Sequence, residues 1–204
     1  AVALGLSAED VVNTRVSSSY YDAQANVIMA YLQQTYKGVD VYNAITPVAF
    51  RDDKVVTYTA SRIAADEKTV LKGNPVPTIK PLTALRNAAA DIQSPIAQPI
   101  TIPLRQTPDG QEFEYDKVGI GFNNLMVRLM WIPVGETGQM QLAWQVTIHT
   151  LKSNDLWSIK VDANTGKILH KENLTNKEVF KAVNLAKLSC FEPVEKFKGE
   201  TSEM

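Results

Sequence analysis

The run from Tyr31 to Ile63, YLQQTYKGVDVYNAITPVAFRDDKVVTYTASRI, restricts the fold more than any other stretch. Segments suited to extended structure flank Lys37-Gly38, and a third begins after Arg51-Asp52-Asp53. That is the pattern of three antiparallel strands joined by short turns. Gly38 serves the first turn, because a residue without Cβ takes positive φ at little cost. Val39, Val41 and Ile45 share one face of the second strand, and Tyr42, Ala44, Val48 and Phe50 take the opposite parity. Pro47 withholds a backbone donor, so the strand is expected at an edge or with a bulge there. The third strand is expected over Val55 to Arg62. About thirty residues are thereby committed to a sheet whose apolar face needs a cover. The preceding segment is the candidate: Ser7 and Asp10 approximate a capping box, and Val11, Val12 and Val16 form one apolar side. A short helix is expected to end within Ser17-Ser18-Ser19.

A second sheet is legible further on. Asn124 to Ile132 reads as a strand, Met140 to Leu151 as the next, and Trp157 to Ala163 as a third; a fourth begins at Lys167 to His170. Leu142, Trp144, Val146 and Ile148 alternate with Ala143, Gln145, Thr147 and His149, giving one apolar and one polar face. Between the sheets, Gly73, Pro75, Pro77 and Pro81 mark a connection, and Leu82 to Ile92 carries helical spacing. Prolines 95, 99, 103 and 108 then favour loop and short extended pieces. A helix is expected over Lys177 to Leu188, followed by a charged tail. Helix-then-strands twice over predicts an α+β fold, two helix-plus-antiparallel-sheet units packed into one body.

Composition removes several functions. The 21 basic and 22 acidic residues give no positive field to attract nucleic acid or a membrane surface. No run approaches the roughly 20 apolar residues of a membrane span. The abrupt opening AVALGLSAEDVV suits a processed or trimmed product. Cys190 is the single cysteine, so no intrachain disulfide can form; beside Phe191 it suits a half-buried apolar position better than a reactive one. His149 and His170 read as surface or rim polarity, and no H-E-x-x-H pairing, G-x-S-x-G elbow or glycine-rich phosphate loop occurs. Asp52-Asp53, Asp109 and Asp162 belong to turns. No catalytic, cofactor-binding or metal-ligating residue is therefore assigned. Trp144 and Trp157 fall in phase with buried aliphatic residues, whereas Trp131, near Pro133 and a polar turn, is expected to be the tryptophan that reaches a partner.

YLQQTYKGVDVYNA resembles the propeptide domain of fungalysin and thermolysin peptidases, through Gln34, Thr35, Gly38 and Val41, followed by Tyr42 and Ala44. LAWQVTIHT and WSIKVDANTGKILHKENL resemble the PepSY-like part of the same propeptides. Leu142, Trp144, Val146, Trp157, Val161, Asp162, Thr165, Gly166 and Asn173 carry that likeness. The resemblance implies cystatin-like/PepSY-like units: a propeptide-like unit over 1–63, a connection over 64–81, a PepSY-like unit over 82–174 and a helix and tail over 175–204. It also implies a prodomain that inhibits and helps to fold a secreted zinc metalloendopeptidase. Zinc would belong to that partner domain, in cis or in trans. The chain itself would be non-catalytic, and secreted, periplasmic or held at the cell envelope. The candidate protease contacts are the proline-rich connection from Pro95 to Pro108, the Trp131–Gly138 turn with Trp131, Pro133 and Glu136, and the tail near Cys190, each at least as consistent with a plain connection or cap. The competing reading is a standalone extracellular or cell-envelope binding or adhesion module without a protease partner.

Overall fold

Tight turns set the architecture. Lys37 and Gly38 both take positive φ, 48° and 77°, and so do Asp52 and Asp53, 49° and 59°. A two-residue loop with both φ values positive is the type I′ turn, whose twist matches the strands it joins. These turns close the hairpins of β2 (Val27–Tyr36) with β3 (Val39–Arg51), and of β3 with β4 (Lys54–Tyr58). The computed structural model describes residues 12–59, 73–134 and 139–175. Its other strands are β1 (Thr14–Asp22), β5 (Arg105–Gln106), β6 (Glu112–Tyr115), β7 (Leu125–Val134), β8 (Gln139–His149), β9 (Leu156–Asp162) and β10 (Ile168–Asn173). One helix, α1 (Pro81–Asp91), lies among the described residues.

The strands form one sheet in the order β1-β2-β3-β7-β8-β9-β10, with β4 beside β3, β6 beside β7, and β5 beside β6. Every pairing is antiparallel except that of β3 with β7, which meet in parallel at Val41 and Trp131. β3 divides its outer side: its first part meets β7 and Val48–Arg51 meets β4. β7 does the same, using Leu125–Arg128 for β6 and Trp131 for β3.

This overturns the α+β expectation of two helix-plus-antiparallel-sheet units. Strands occupy 54% of the described residues, in a single mixed sheet with one helix. The N-terminal reading is corrected as well. Residues 7–11 of the expected helix lie outside the described residues, and the rest of it runs into β1. Thr14, Val16, Tyr20 and Tyr21 are β-branched or aromatic, and pairing with β2 outweighs the weak apolar spacing. A bulge at Ser17 accommodates the register, its hydroxyl donating to the Tyr31 carbonyl at 3.0 Å. The expected third strand is shorter, ending at Tyr58, and its remainder from residue 60 lies outside the described residues. The expected helix and tail after residue 176 also lie outside them. β5 and β6 form a hairpin in the proline-rich region and its sequel, where no paired strands are expected from sequence.

The main core lies on one face of β7–β9. Leu125, Val127, Leu129 and Trp131 of β7 join Leu142, Trp144, Val146 and Ile148 of β8, with Ile159 and Val161 of β9. α1 covers this face with Ala84, Leu85, Ala88 and Ala89, all fully buried. Three alanines let the helix backbone approach the sheet closely, and Pro81 at its first turn presets the helical φ. The opposite face carries a smaller cluster of Met130, Ile132 and Ala143, flanked by Tyr42, Val134 and Leu169.

Candidate functional site

The motif around Gly38 sits at the junction of the two halves of the sheet. Between the Gln33–Ile45 and Thr35–Asp40 pairs, the β2–β3 ladder breaks, and β3 swings out to meet β7. Asn43 takes positive φ, 56°, at this kink. Backbone carbonyls released by the break need donors. Buried Gln33 supplies them: its Nε2 donates to the carbonyls of Val41 at 2.7 Å, Gln34 at 2.9 Å and Ala44 at 3.3 Å. One amide thus stands in for lost ladder bonds.

Three successive residues of β3 then couple to different strands. Asp40, 7% exposed at its side chain, accepts from Arg15 of β1 through both carboxylate oxygens, at 2.9 and 2.6 Å. Its Oδ2 also accepts from Arg128 of β7, and Arg128 Nε pairs with Glu112 of β6 at 2.9 Å. The hydrogen bond to Asp40 raises the Arg15 pKa above its ordinary value. Val41 makes the parallel pair with Trp131. Tyr42 turns to the opposite face, where its hydroxyl accepts from Lys160 Nζ at 3.1 Å and its ring lies 4.4 Å below that ammonium. Lys160 is 1% exposed and also donates to Ser158 at 3.0 Å, with Glu172 3.7 Å away. A buried ammonium needs such partners, since an unpaired charge would pay the full desolvation penalty.

Trp131 completes the junction. Its indole Nε1 donates to the Tyr36 carbonyl at 3.0 Å, and its ring meets the Tyr36 ring edge-on at 5.6 Å. Gly73 packs against it so closely that an added Cβ would stand 2.4 Å from the ring. Gln111 Nε2 reaches the Gly38 carbonyl at 2.9 Å, and Lys37 Nζ the Gly73 carbonyl at 3.0 Å.

The second motif organises the α1 face. Trp144 Nε1 donates to the Ile79 carbonyl at 2.8 Å, ahead of the helix. Asp162 Oδ1 accepts from the backbone of Asn164 and Thr165, closing the β9–β10 turn, while Oδ2 accepts from Gln141. Gly166 takes φ of 75°, and Asn87 of α1 donates to its carbonyl at 2.8 Å. Asn173 holds Asp155 at 3.0 Å.

Of the single residues expected as contacts, Trp131 and Pro133 lie among the described residues. Trp131 is 1% exposed, so its ring serves the core rather than a partner surface, a correction to the reading from sequence. Its proximity to a polar turn misled; its alternation with Leu129 and Val127 was the better signal. Pro133 is exposed near the end of β7, opposite Met140. Glu136 and Cys190 lie outside the described residues. His149 is half-buried, bonded to Asn154 Oδ1 at 3.0 Å and set against the Phe122 ring, and His170 is exposed. Sequence reasoning missed Gln33, Asp40, Arg128 and Lys160. Asp40 and Lys160 did carry a signal: each is a charge flanked by aliphatic residues within a strand, which implies a specific partner when buried. Among the described residues, no group of three or more His, Cys, Asp or Glu stands close enough to hold a metal ion.

This constellation fastens the two halves of the sheet to each other, and the comparisons with known proteins fall on the segments it joins. Residues 12–61 match the Fungalysin/Thermolysin Propeptide Motif, and residues 128–172 match the Peptidase propeptide and YPEB domain. Both are propeptide-type, non-catalytic domains, and these two segments of the chain are similar to them. No curated protein matches the chain. Among solved structures it is similar to the Bacillus megaterium YpeB C-terminal domain, at 16% identity and a TM-score of 0.37. That match covers 80% of this chain and 57% of the other, so the chain spans little more than half of that structure. No helix among the described residues is long and apolar enough to cross a membrane.

Proposed function

We propose that this chain is a prodomain that inhibits a secreted zinc metalloendopeptidase and assists its folding. The observation that carries this reading is the pair of propeptide-type matches, on segments that the structure fastens together through Asp40, Val41 and Tyr42. A template for another domain must hold its own shape while the partner is still unfolded. Ordering the template beforehand lowers the entropic cost of each contact it then makes. In this reading residues 1–63 and 82–174 are two propeptide units, and 64–81 join them. Zinc and the hydrolytic residues sit in the peptidase domain, and this chain supplies surface only. Secretion follows from the same reading, since the partner is a secreted enzyme.

The test uses thermolysin as the probe peptidase. The 204-residue chain is titrated into mature thermolysin acting on a quenched fluorescent peptide, and is added in parallel to denatured thermolysin during refolding. The expected result is loss of hydrolysis at an inhibition constant in the micromolar range or below, about 8 kcal/mol of binding, with a raised refolding yield. Full hydrolysis at about 50 μM chain together with an unchanged refolding yield overturns the reading.

A further inference from the structure

The loop between β6 and β7 holds a backbone that its residues resist. Val118 takes φ of 40° and Gly119 75°. A β-branched residue rarely enters the left-handed region, and it stays there only where its surroundings hold it. Here the Val118 side chain packs against the main core, and its N–H donates to Asp116 Oδ1 at 2.9 Å. Gly121 has no room for a Cβ, which would stand 2.8 Å from the Asn123 carbonyl oxygen. The Ile120 carbonyl accepts from Leu151 at 3.0 Å and the Phe122 N–H donates to the His149 carbonyl at 2.9 Å, so the loop is fixed to the end of β8. It thereby carries Phe122 half out into solvent, with its ring 4.9 Å from that of His149.

Beneath this rim opens a cleft of about 500 Å³, lined by Glu114, Lys117, Phe122, Asn123, Asn124 and Met126. Its polar groups are not equivalent. Glu114 has both carboxylate oxygens engaged, one by Asn124 at 2.6 Å and the other by Arg105 at 3.2 Å. The Lys117 ammonium and the Asn123 carboxamide, by contrast, make no hydrogen bond or ion pair among the described residues. Exposed lysines and asparagines are ordinary when they stand singly. Here the two unengaged groups share a concave site with a held carboxylate and two apolar side chains, Phe122 and Met126.

We infer that this cleft binds the carboxy-terminal residue of a peptide, one that carries an apolar side chain. The terminal carboxylate accepts from the Lys117 ammonium and the Asn123 amide, a charge-assisted pairing. Each Glu114 oxygen keeps a second lone pair, so the carboxylate also accepts the N–H of the ligand's last residue. That residue's side chain lies between Phe122 and Met126, an aromatic and a thioether wall suited to Leu, Met or Phe. Glu114 also selects against a compact dianion such as phosphate, which offers no N–H and meets the carboxylate as a like charge. The inference concerns this chain alone and stands apart from the prodomain reading.

The experiment follows the isotope-labelled 204-residue chain by NMR during titration with N-acetyl-Phe-Leu, with the same dipeptide bearing a terminal amide, and with inorganic phosphate. The acid is expected to bind at about 1 mM or tighter. Its signature is saturable shifts of the Asn123 side-chain amide and of the Lys117 and Phe122 backbone amides. The terminal amide and phosphate are expected to bind at least about 10-fold more weakly. Lys117→Gln should weaken the acid by at least about 10-fold, whereas Lys167→Gln, at an exposed lysine of the β9–β10 turn, should leave it within about 2-fold. Both lysines are exposed, so neither substitution disturbs the fold. Shifts that do not saturate by about 20 mM, a terminal amide or phosphate that binds as well as the acid, or a Lys117→Gln chain that binds it undiminished overturns the inference.

Discussion

Lys160 shows how a single residue can be buried without being a stabilising charge. Its ammonium is taken almost wholly out of water, and in return it gains the Tyr42 ring and hydroxyl, Ser158 and a partly exposed Glu172. Replacing a buried ion by an apolar side chain of similar volume is commonly neutral, because the desolvation penalty disappears with the interactions. Lys160→Met is therefore expected to change stability by no more than about 1 kcal/mol. Ser158 keeps Gln145 as a donor, at 2.9 Å, and Glu172 remains solvated. Lys160→Ala removes the aliphatic stem as well and leaves a cavity between Tyr42 and the sheet, for a loss of about 2–4 kcal/mol. Urea denaturation of the two variants decides the matter: equal losses would mean that the charge, and not the packing, holds Tyr42 to β9.

At the scale of elements, α1 is held by its face and closed at its C-terminal end, but it is left uncapped at its N-terminal end. At the C-terminal end Gln93 takes positive φ and the Ser94 N–H donates to the Ala89 carbonyl at 2.9 Å. Ala84, Leu85, Ala88 and Ala89 are fully buried, yet the N-cap is Lys80, which makes no side-chain cap, and the first turn contains no acidic residue. Lys80 already has the extended backbone of a cap, with φ of −68° and ψ of 148°. Lys80→Asp needs no backbone change, supplies a carboxylate to the free N–H groups and removes a positive charge from the positive end of the helix. A gain of about 1 kcal/mol is expected, read as a rise of about 2–4 °C in the thermal midpoint. No rise, or a fall, would show that Lys80 serves a contact of its own. This helix, the hairpins and the β7–β10 meander were legible in the sequence because each is written locally, in a 3.6-residue or two-residue period closed by a turn. β1 was not, since Val11, Val12 and Val16 fit a helix face almost as well as a strand and only pairing with β2 decides. Nor was the β5–β6 hairpin, where prolines hide two short strands whose partner, β7, is supplied by the tertiary fold. The fastening at Asp40 was out of reach for the same reason: Arg15 and Arg128 lie 25 and 88 residues away.

At the scale of the molecule, the question is whether the sheet's two halves fold as one body. Their direct backbone link is slight, a single parallel pair at Val41 and Trp131. What crosses the junction besides is side-chain work: Asp40 shared by Arg15 and Arg128, Trp131 on Tyr36, Lys160 on Tyr42, and Gln111 on Gly38. Leaving out Lys160, whose desolvation offsets its contacts, hydrogen bonds to charged groups stabilise by about 1.5–3 kcal/mol each and neutral ones by about 1, so the remaining set amounts to several kcal/mol. That is comparable to the roughly 5–15 kcal/mol of a whole domain, and neither half can be lost without forfeiting it. The two halves are therefore expected to unfold together. The sequence offers separate reporters. All three tryptophans, at 131, 144 and 157, lie in the second half, whereas Ala30 and Val48 pair with each other in the first. Tryptophan fluorescence and hydrogen exchange at Ala30 and Val48, followed through one urea series, should give the same midpoint and the same denaturant slope. In Asp40→Ala the first half should open at lower urea, because both guanidinium groups lose their shared anion while the tryptophan core is untouched. Separate midpoints in the wild-type chain would mean that the fastening is too weak to act, and a template for a folding peptidase would then have to be assembled by the partner itself.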